Sequence, residues 1–374
     1  MLHLHNTFTE AWMDYLINFN TWYLVWIFTA LLLLIHLEQA KYSNKTKNTF
    51  FIIWIGVLAV YIGLRDIFFS IGDTPTYRDH YLSMVEGTYS HWRSRDILYE
   101  YFVRFSAIFK SVSLHFILVS LGIIIPYIVW SKKHFKRRYH WIVLLFLAHP
   151  FFLAYASNGI RFGLASSLFI LGLSQSKKIF KYFLFLLAGL LHVTLFLPII
   201  VWIIASYRKI PLWVYLFFSL FLNAFALIFK SSWYAFFLRI FPKEYFFRLH
   251  FYLEGLSKNA IQNFGGFRWD FWLYGFVYIL WIVWVIYKKQ WKNREFEHYA
   301  KTYVILHAIV PLFYFVVFAN RFGSIAWLFI PMLLALPLKS LPTYRNFALA
   351  AFFLITTQIF AYLFILYLWR TINF

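Results

Sequence analysis

The sequence predicts an all-α, polytopic membrane protein, and three observations predict it. Of 374 residues, 62% are hydrophobic and 25% aromatic, while only 13% are charged. Such a chain cannot leave its apolar surface in water. Its apolar residues fall in long runs, the mark of spanning helices and not of the short alternating segments of a β-barrel. Its Lys and Arg residues gather in clusters between those runs, as they do in cytoplasmic loops. The net charge of +21, from 35 basic and 14 acidic residues, therefore reads as topology and contact with anionic membrane lipid, not as nucleic-acid binding. The chain has no cysteine, so disulfides and thiolate metal sites are excluded. The N-terminus lacks a basic n-region and a small-residue cleavage site, so no cleaved signal is expected.

About ten spans are expected, at 21–37, 49–64, 112–131, 141–156, 159–174, 211–229, 269–287, 300–319, 322–338 and 346–369. The stretch 182–206 is also apolar, but His192, Thr194 and Pro198 interrupt it. Three basic clusters fix the sides: Lys132, Lys133, Lys136, Arg137 and Arg138; Lys177, Lys178 and Lys181; Lys288, Lys289, Lys292 and Arg294. All three belong in the cytoplasm. An even number of crossings must then separate residue 181 from residue 288, and 211–229 with 269–287 supply two. The stretch 182–206 therefore enters and returns on one side, as a re-entrant hairpin or broken helix. A crossing at 233–250 is a poorer choice because Arg239, Lys243, Glu244 and Arg248 fall in it. This topology leaves both termini outside. It treats 1–374 as one membrane domain with two large outer segments, about 65–111 and 230–268. The second is rich in aromatics and arginine and suits the membrane interface.

Against this background a few charges stand out. Asn158-Gly159-Ile160-Arg161-Phe162-Gly163 and Asn320-Arg321-Phe322-Gly323 each open an apolar helix with an arginine at its outer end. A guanidinium there is costly unless it is paired. The helix N-terminus adds free N–H groups and a positive dipole end, so an anion is favoured. Asn158 and Asn320 suit a cap or turn, and Gly163 and Gly323 allow close helix approach. The plainer alternative is an arginine that snorkels to lipid headgroups. The stretch from Arg65 to Tyr81 adds Arg65, Asp66, Asp73, Thr74, Tyr77, Arg78 and Asp79 directly after a span. Carboxylates beside a phosphate-binding arginine can orient it, accept a hydroxyl proton or hold a cation. A solvated turn would use the same residues, and Gly72-Asp73-Thr74-Pro75 reads well as one. His192 is a proton acceptor or simply a hydrogen-bonded interior histidine. No HExxH motif, DxD motif or P-loop is present, so neither metal nor nucleotide cofactor is expected.

In the order Arg65, Gly72-Asp73-Thr74, Tyr77, Asn158 with Arg161, His192 and Arg321, the chain resembles the EpsG family of Wzy-like membrane polysaccharide polymerases. The resemblance covers about residues 50–340. It implies a GT-C-like integral membrane glycosyltransferase in the bacterial cytoplasmic membrane, with its site facing outward. The implied reaction moves a glycan from one polyprenyl pyrophosphate to the non-reducing end of another lipid-linked repeat unit. Donor and acceptor are then polyprenyl-pyrophosphate-linked oligosaccharides, and a chain-length regulator is the implied protein partner. Arg65, Arg161 and Arg321 would bind pyrophosphate. Asp66, Asp73 or His192 would take the acceptor proton, and Thr74, Tyr77, Asn158 and Asn320 would position substrate. Competing readings are a polyprenyl-phosphate-sugar transferase with a metal-binding acidic pair, an O-acyltransferase using His192, and a flippase for lipid-linked glycans.

Overall fold

The structure, a computed structural model, describes residues 2–40, 42–66, 73–88, 96–207, 210–240, 269–313 and 320–372. Every regular element among the described residues is a helix. Six are long and apolar enough to cross a membrane: Ile17–Gln39, Asn44–Gly63, Val112–Leu147, Trp269–Lys288, Phe322–Ser340 and Tyr344–Ile365. Shorter apolar helices cover Ile160–Leu173, Val193–Ala205 and Leu212–Ile228. The protein is thus a multi-pass membrane protein; of the ten spans expected, several fall on helices of full spanning length and others on shorter or interrupted apolar helices among the described residues.

By contact the chain divides into two compact units, 1–195 with 338–374, and 196–337. In the first, α1 (Leu2–Gln39) buries Tyr23, Ile27, Leu31 and Leu34 at helical spacing and turns Trp22, Val25, Phe28 and Leu32 outward. Apolar side chains on both faces are what a helix between core and lipid requires. Helix α2 (Asn44–Gly63) is capped by Ser43, whose Oγ accepts the Thr46 N–H at 3.1 Å. It ends at Gly63, where a Cβ would come within 2.7 Å of the Ile117 backbone nitrogen. That close approach seats α2 on α5 (Val112–Phe135). Between them come two shorter helices of the outer segment, α3 (Thr74–Glu86) and α4 (Ile97–Ala107).

Helix α6 (Tyr139–Leu147) has all nine residues buried. The run expected as one span over 141–156 is broken after it, at Ala148 to Phe151, before α7 (Phe152–Ser157). Pro150 stands in the break and has no N–H with which to continue the helix. Helix α8 (Ile160–Leu173) then folds back closely. A Cβ on Gly163 would meet the Tyr155 carbonyl oxygen at 2.5 Å. Helix α9 (Lys178–Leu191) runs alongside α8 and stops at His192, whose backbone is extended at φ −156, ψ 114. The interruption expected in 182–206 falls at His192, and the helix that follows, α10 (Phe196–Ala205), belongs to the other unit.

That unit continues with α11 (Leu212–Ile228), α12 (Lys230–Ile240), α13 (Trp269–Val283), α14 (Arg294–Ile309), α15 (Asn320–Trp327) and α16 (Ile330–Ala335). Polar groups inside it are paired locally: Tyr303 donates to the Gly275 carbonyl at 2.7 Å, and Trp281 Nε1 to that of Leu333 at 3.1 Å. The last helix, α17 (Tyr344–Ile372), returns to the first unit, where Trp141 Nε1 donates to the Tyr344 hydroxyl at 3.2 Å. Most of the outer segment expected at 230–268, from 241 on, lies outside the described residues.

Two basic clusters meet at one end of the first unit. Lys133, in the last turn of α5, donates to the Ser174 carbonyl and, at 3.0 Å, to Ser176 Oγ in the loop before α9. Arg65 and Arg161 sit at the opposite ends of α2 and α8.

Candidate functional site

The outer segment after α2 is held by the turn between α7 and α8. Thr74 opens α3 and donates its hydroxyl to the Ser157 carbonyl at 2.9 Å. The Asp73 N–H donates to Asn158 Oδ1 at 2.6 Å, so Asn158 grips the start of α3 and is not the N-cap of α8. Arg65 is 4% exposed. It donates from Nη1 to the Ile62 carbonyl at 3.0 Å and from Nε to Thr74 Oγ1 at 3.4 Å, and lies 4.1 Å over the Phe116 ring. Residues 65, 73, 74, 157 and 158 thus form one knot, although more than eighty positions separate its two halves.

Arg161 lies in the first turn of α8, beside that knot. Its Nη1 pairs with Asp96 Oδ2 at 2.7 Å, and its guanidinium carbon stands 5.7 Å from the Tyr77 ring centre. The two partners differ in access: the Arg161 side chain is 28% exposed and the Asp96 side chain 7%. Asp96 precedes α4 but spends no oxygen on capping it. Its Oδ1 instead accepts the Val193 N–H at 3.4 Å. One carboxylate therefore ties the arginine of α8 to the break that ends α9. In that break His192 Nδ1 lies 2.7 Å from Thr194 Oγ1, and the His192 ring packs edge-on to Phe162 at 5.8 Å.

The level of this site follows from helix length. Both α8 and α9 have 14 residues and join at a tight basic loop. At about 1.5 Å per residue each rises about 21 Å, against about 30 Å for a hydrocarbon core. Arg161 and His192 therefore stand about level with each other, at the end of this helix pair away from the loop. A charged group among apolar helices too short to span a bilayer unaided is a candidate functional site.

Of the residues expected from sequence, the structure brings Arg65, Asp73, Thr74, Tyr77, Asn158, Arg161 and His192 into one region of the first unit. Asp66 is half-buried directly after Arg65. Gly72 and the side chains of Asn320 and Arg321 lie outside the described residues.

Three residues went unread in the sequence: Asp96, Tyr99 and His80. Asp96 stands in the outer segment directly before α4. The usable signal was the energetic demand of Arg161 for a counter-ion, which does not say which outer acid answers it. Tyr99 is fully buried and packs edge-on to Tyr77 at 5.9 Å. His80 is 6% exposed, with its ring 6.2 Å from that of Tyr99.

Burial first, and the Arg161 charge second, lower the His80 imidazole from 6.5 to about 4. Between those values the unfolded chain binds a proton that the folded protein refuses. This contribution to stability is therefore complete above the ordinary histidine pKa and is lost as pH falls toward 4. His80→Gln is expected to make the acid-side loss of thermal stability shallower, by at most about 1.4 kcal/mol per pH unit. Melts of purified protein across that range check it, and an unchanged slope counts against the assignment.

A family model described as the EpsG family matches residues 48–374, which include every residue of this site. The chain belongs to the EpsG family. Members are membrane proteins linked to exopolysaccharide biosynthesis. The chain matches no curated protein and no solved structure. In this EpsG protein a partly open arginine at a helix N-terminus, recessed among apolar helices, is suited to hold an anion.

Proposed function

We infer that the protein is a polysaccharide polymerase of the bacterial cytoplasmic membrane, with GT-C-like architecture. It transfers a glycan from a polyprenyl-pyrophosphate donor to the non-reducing end of a second polyprenyl-pyrophosphate-linked repeat unit at the outer face. The observation that carries this reading is Arg161. It is a cation 28% exposed, backed by a sealed Asp96, in the first turn of a short apolar helix.

In the reaction an acceptor hydroxyl attacks the anomeric carbon of the donor sugar. The bond from that carbon to the pyrophosphate oxygen breaks, and polyprenyl pyrophosphate leaves with the electron pair. Charge therefore grows on the leaving oxygen, where a fixed guanidinium and the α8 dipole stabilise it most. The hydroxyl proton goes to a nearby base, for which Asp66, Asp73 and His192 are the candidates. Through Asp96 and Val193, His192 is the one tied to Arg161. Arg65, built into the knot at the start of α3, contributes positive potential beside the seat and fixes Thr74. Arg321, Asn320 and a chain-length regulator enter this proposal on sequence resemblance alone. The position of the site opposite the Lys133–Ser176 basic end supports an outward orientation.

Deletion of the gene, followed by labelling of lipid-linked glycans on each face of the membrane, tests the reading. The expected result is loss of long chains with single repeat units accumulating on the outer face. Accumulation on the inner face would mean a flippase. Normal chain length would remove polymerisation from the assignment.

A further inference from the structure

The Tyr99 ring packs against Tyr77 in this site, and its hydroxyl has no protein hydrogen-bond partner among the described residues. The side chain is 0% exposed. A buried phenol nearly always finds a partner, because leaving it without one costs about 1–3 kcal/mol. Nothing about the local fold demands the oxygen. The ring alone makes the edge contact with Tyr77 at 5.9 Å and stands 6.2 Å from His80. Phenylalanine would fill the same space.

The surroundings of the hydroxyl are specific. Its electrostatic neighbours are Tyr77 first, then Arg161, Arg65 and Asp96. Tyr99 stands in the first turn of α4, and its N–H donates to the Asp96 carbonyl at 3.1 Å. Asp96 and Tyr99 are therefore carried on one rigid turn. Tyr77 touches both Arg161 and Tyr99, its ring 5.7 Å from the Arg161 guanidinium carbon and 5.9 Å from the Tyr99 ring. Nearby guanidinium charge favours turning the lone pairs of a phenol toward the cations, which leaves its proton for an acceptor. The acceptor that suits donors of this kind is an anionic oxygen.

We propose that the Tyr99 hydroxyl is a ligand-binding group that donates its proton to a phosphate oxygen held by Arg161, with Asp96 as the counter-ion that the phosphate partly displaces. In the ligand-free protein Asp96 neutralises Arg161 and keeps the recessed cation tolerable. When the phosphate arrives, Arg161 turns part of its fork to it and Tyr99 supplies a fixed neutral donor. This deepens the polymerase reading and rests on it for the identity of the lipid. The chemistry itself, a phosphate oxyanion within the membrane, is shared by a polyprenyl pyrophosphate and a phospholipid headgroup.

The test uses Tyr99→Phe, which removes one oxygen and keeps the ring. Full-length protein in nanodiscs of neutral lipid is titrated with farnesyl pyrophosphate, and separately with phosphatidylglycerol. Two signatures are expected together. Farnesyl pyrophosphate binds the variant about tenfold more weakly than wild type, the loss of one hydrogen bond to a charged group. The ligand-free variant melts at the same temperature as wild type or roughly 1–3 °C higher, because a buried polar atom without a partner has been removed. A clear fall in melting temperature would mean that the oxygen has a structural partner, and would overturn the proposal. So would unchanged affinity for both probes. A tenfold loss seen with phosphatidylglycerol and not with farnesyl pyrophosphate would keep the phosphate seat but assign it to a headgroup. If wild type binds neither probe, the pyrophosphate reading of Arg161 falls, and this inference with it. If wild type binds farnesyl pyrophosphate and Tyr99→Phe binds it equally, only the role of Tyr99 falls.

Discussion

Arg161→Lys is expected to keep the protein in the membrane at normal abundance and to lose most polymer. Lysine preserves the positive charge, so the buried Asp96 keeps a counter-ion and the fold is retained. It does not preserve the planar fork. A guanidinium can hold Asp96 through one N–H and a phosphate oxygen through others, whereas an ammonium is a compact, strongly hydrated point charge. Stabilisation of the departing pyrophosphate is where the difference falls. Losing one well-placed donor to developing negative charge costs on the order of 100-fold or more in rate. Chain-length analysis in a complemented deletion strain should therefore show single repeat units in place of long chains. Arg161→Ala should be at least as severe, but is the poorer experiment because it strands the carboxylate and lowers stability as well. Wild-type polymer from a normally abundant Arg161→Lys protein would show that the guanidinium does not touch the leaving group.

The polar knot shows what a single sequence can and cannot reveal here. The apolar runs and basic clusters predict membrane helices because each signal is local: about 20 apolar residues have few other uses. Breaks were legible only where polar side chains announced them. His192 and Thr194 mark the end of α9, but at the break over 148–151 only His149 and Pro150 interrupt a long apolar run. Arg65, Thr74, Tyr77, Asn158, Arg161 and His192 stood out because a polar residue beside a membrane helix needs a reason. The topology put Arg65 and Arg161 on one side, but the contacts that join them were not legible, since they depend on α8 folding back on α7 through Gly163. Asp96 and Tyr99 stayed hidden for different reasons. Asp96 lies in a segment where acids are unremarkable, and Tyr99 is one of 27 tyrosines, most with plain packing or interfacial work to do.

Asp96→Ala tests whether the hidden carboxylate is the keystone that the geometry makes it. The substitution leaves Arg161 without its partner and removes the acceptor of the Val193 N–H. Breaking a fully buried ion pair from one side costs about 3–5 kcal/mol. Water reaches the Arg161 side chain, 28% exposed, and softens this. A loss of about 2–3 kcal/mol is therefore expected, read as a lower thermal midpoint in detergent or nanodiscs. Removing Arg161 as well should not add a second loss of that size. In Asp96→Ala/Arg161→Ala neither charge is stranded, so the double variant should be more stable than the sum of the singles predicts, by about 1–3 kcal/mol. Polymer should behave differently. Restoring stability by removing both charges does not restore a cation at the leaving group, so the double variant stays inactive. Stability and activity thus part company only if the pair has two jobs, a structural one between Asp96 and Arg161 and a chemical one for Arg161 alone. Additive destabilisation would deny the first job, and recovered polymer in the double variant would deny the second.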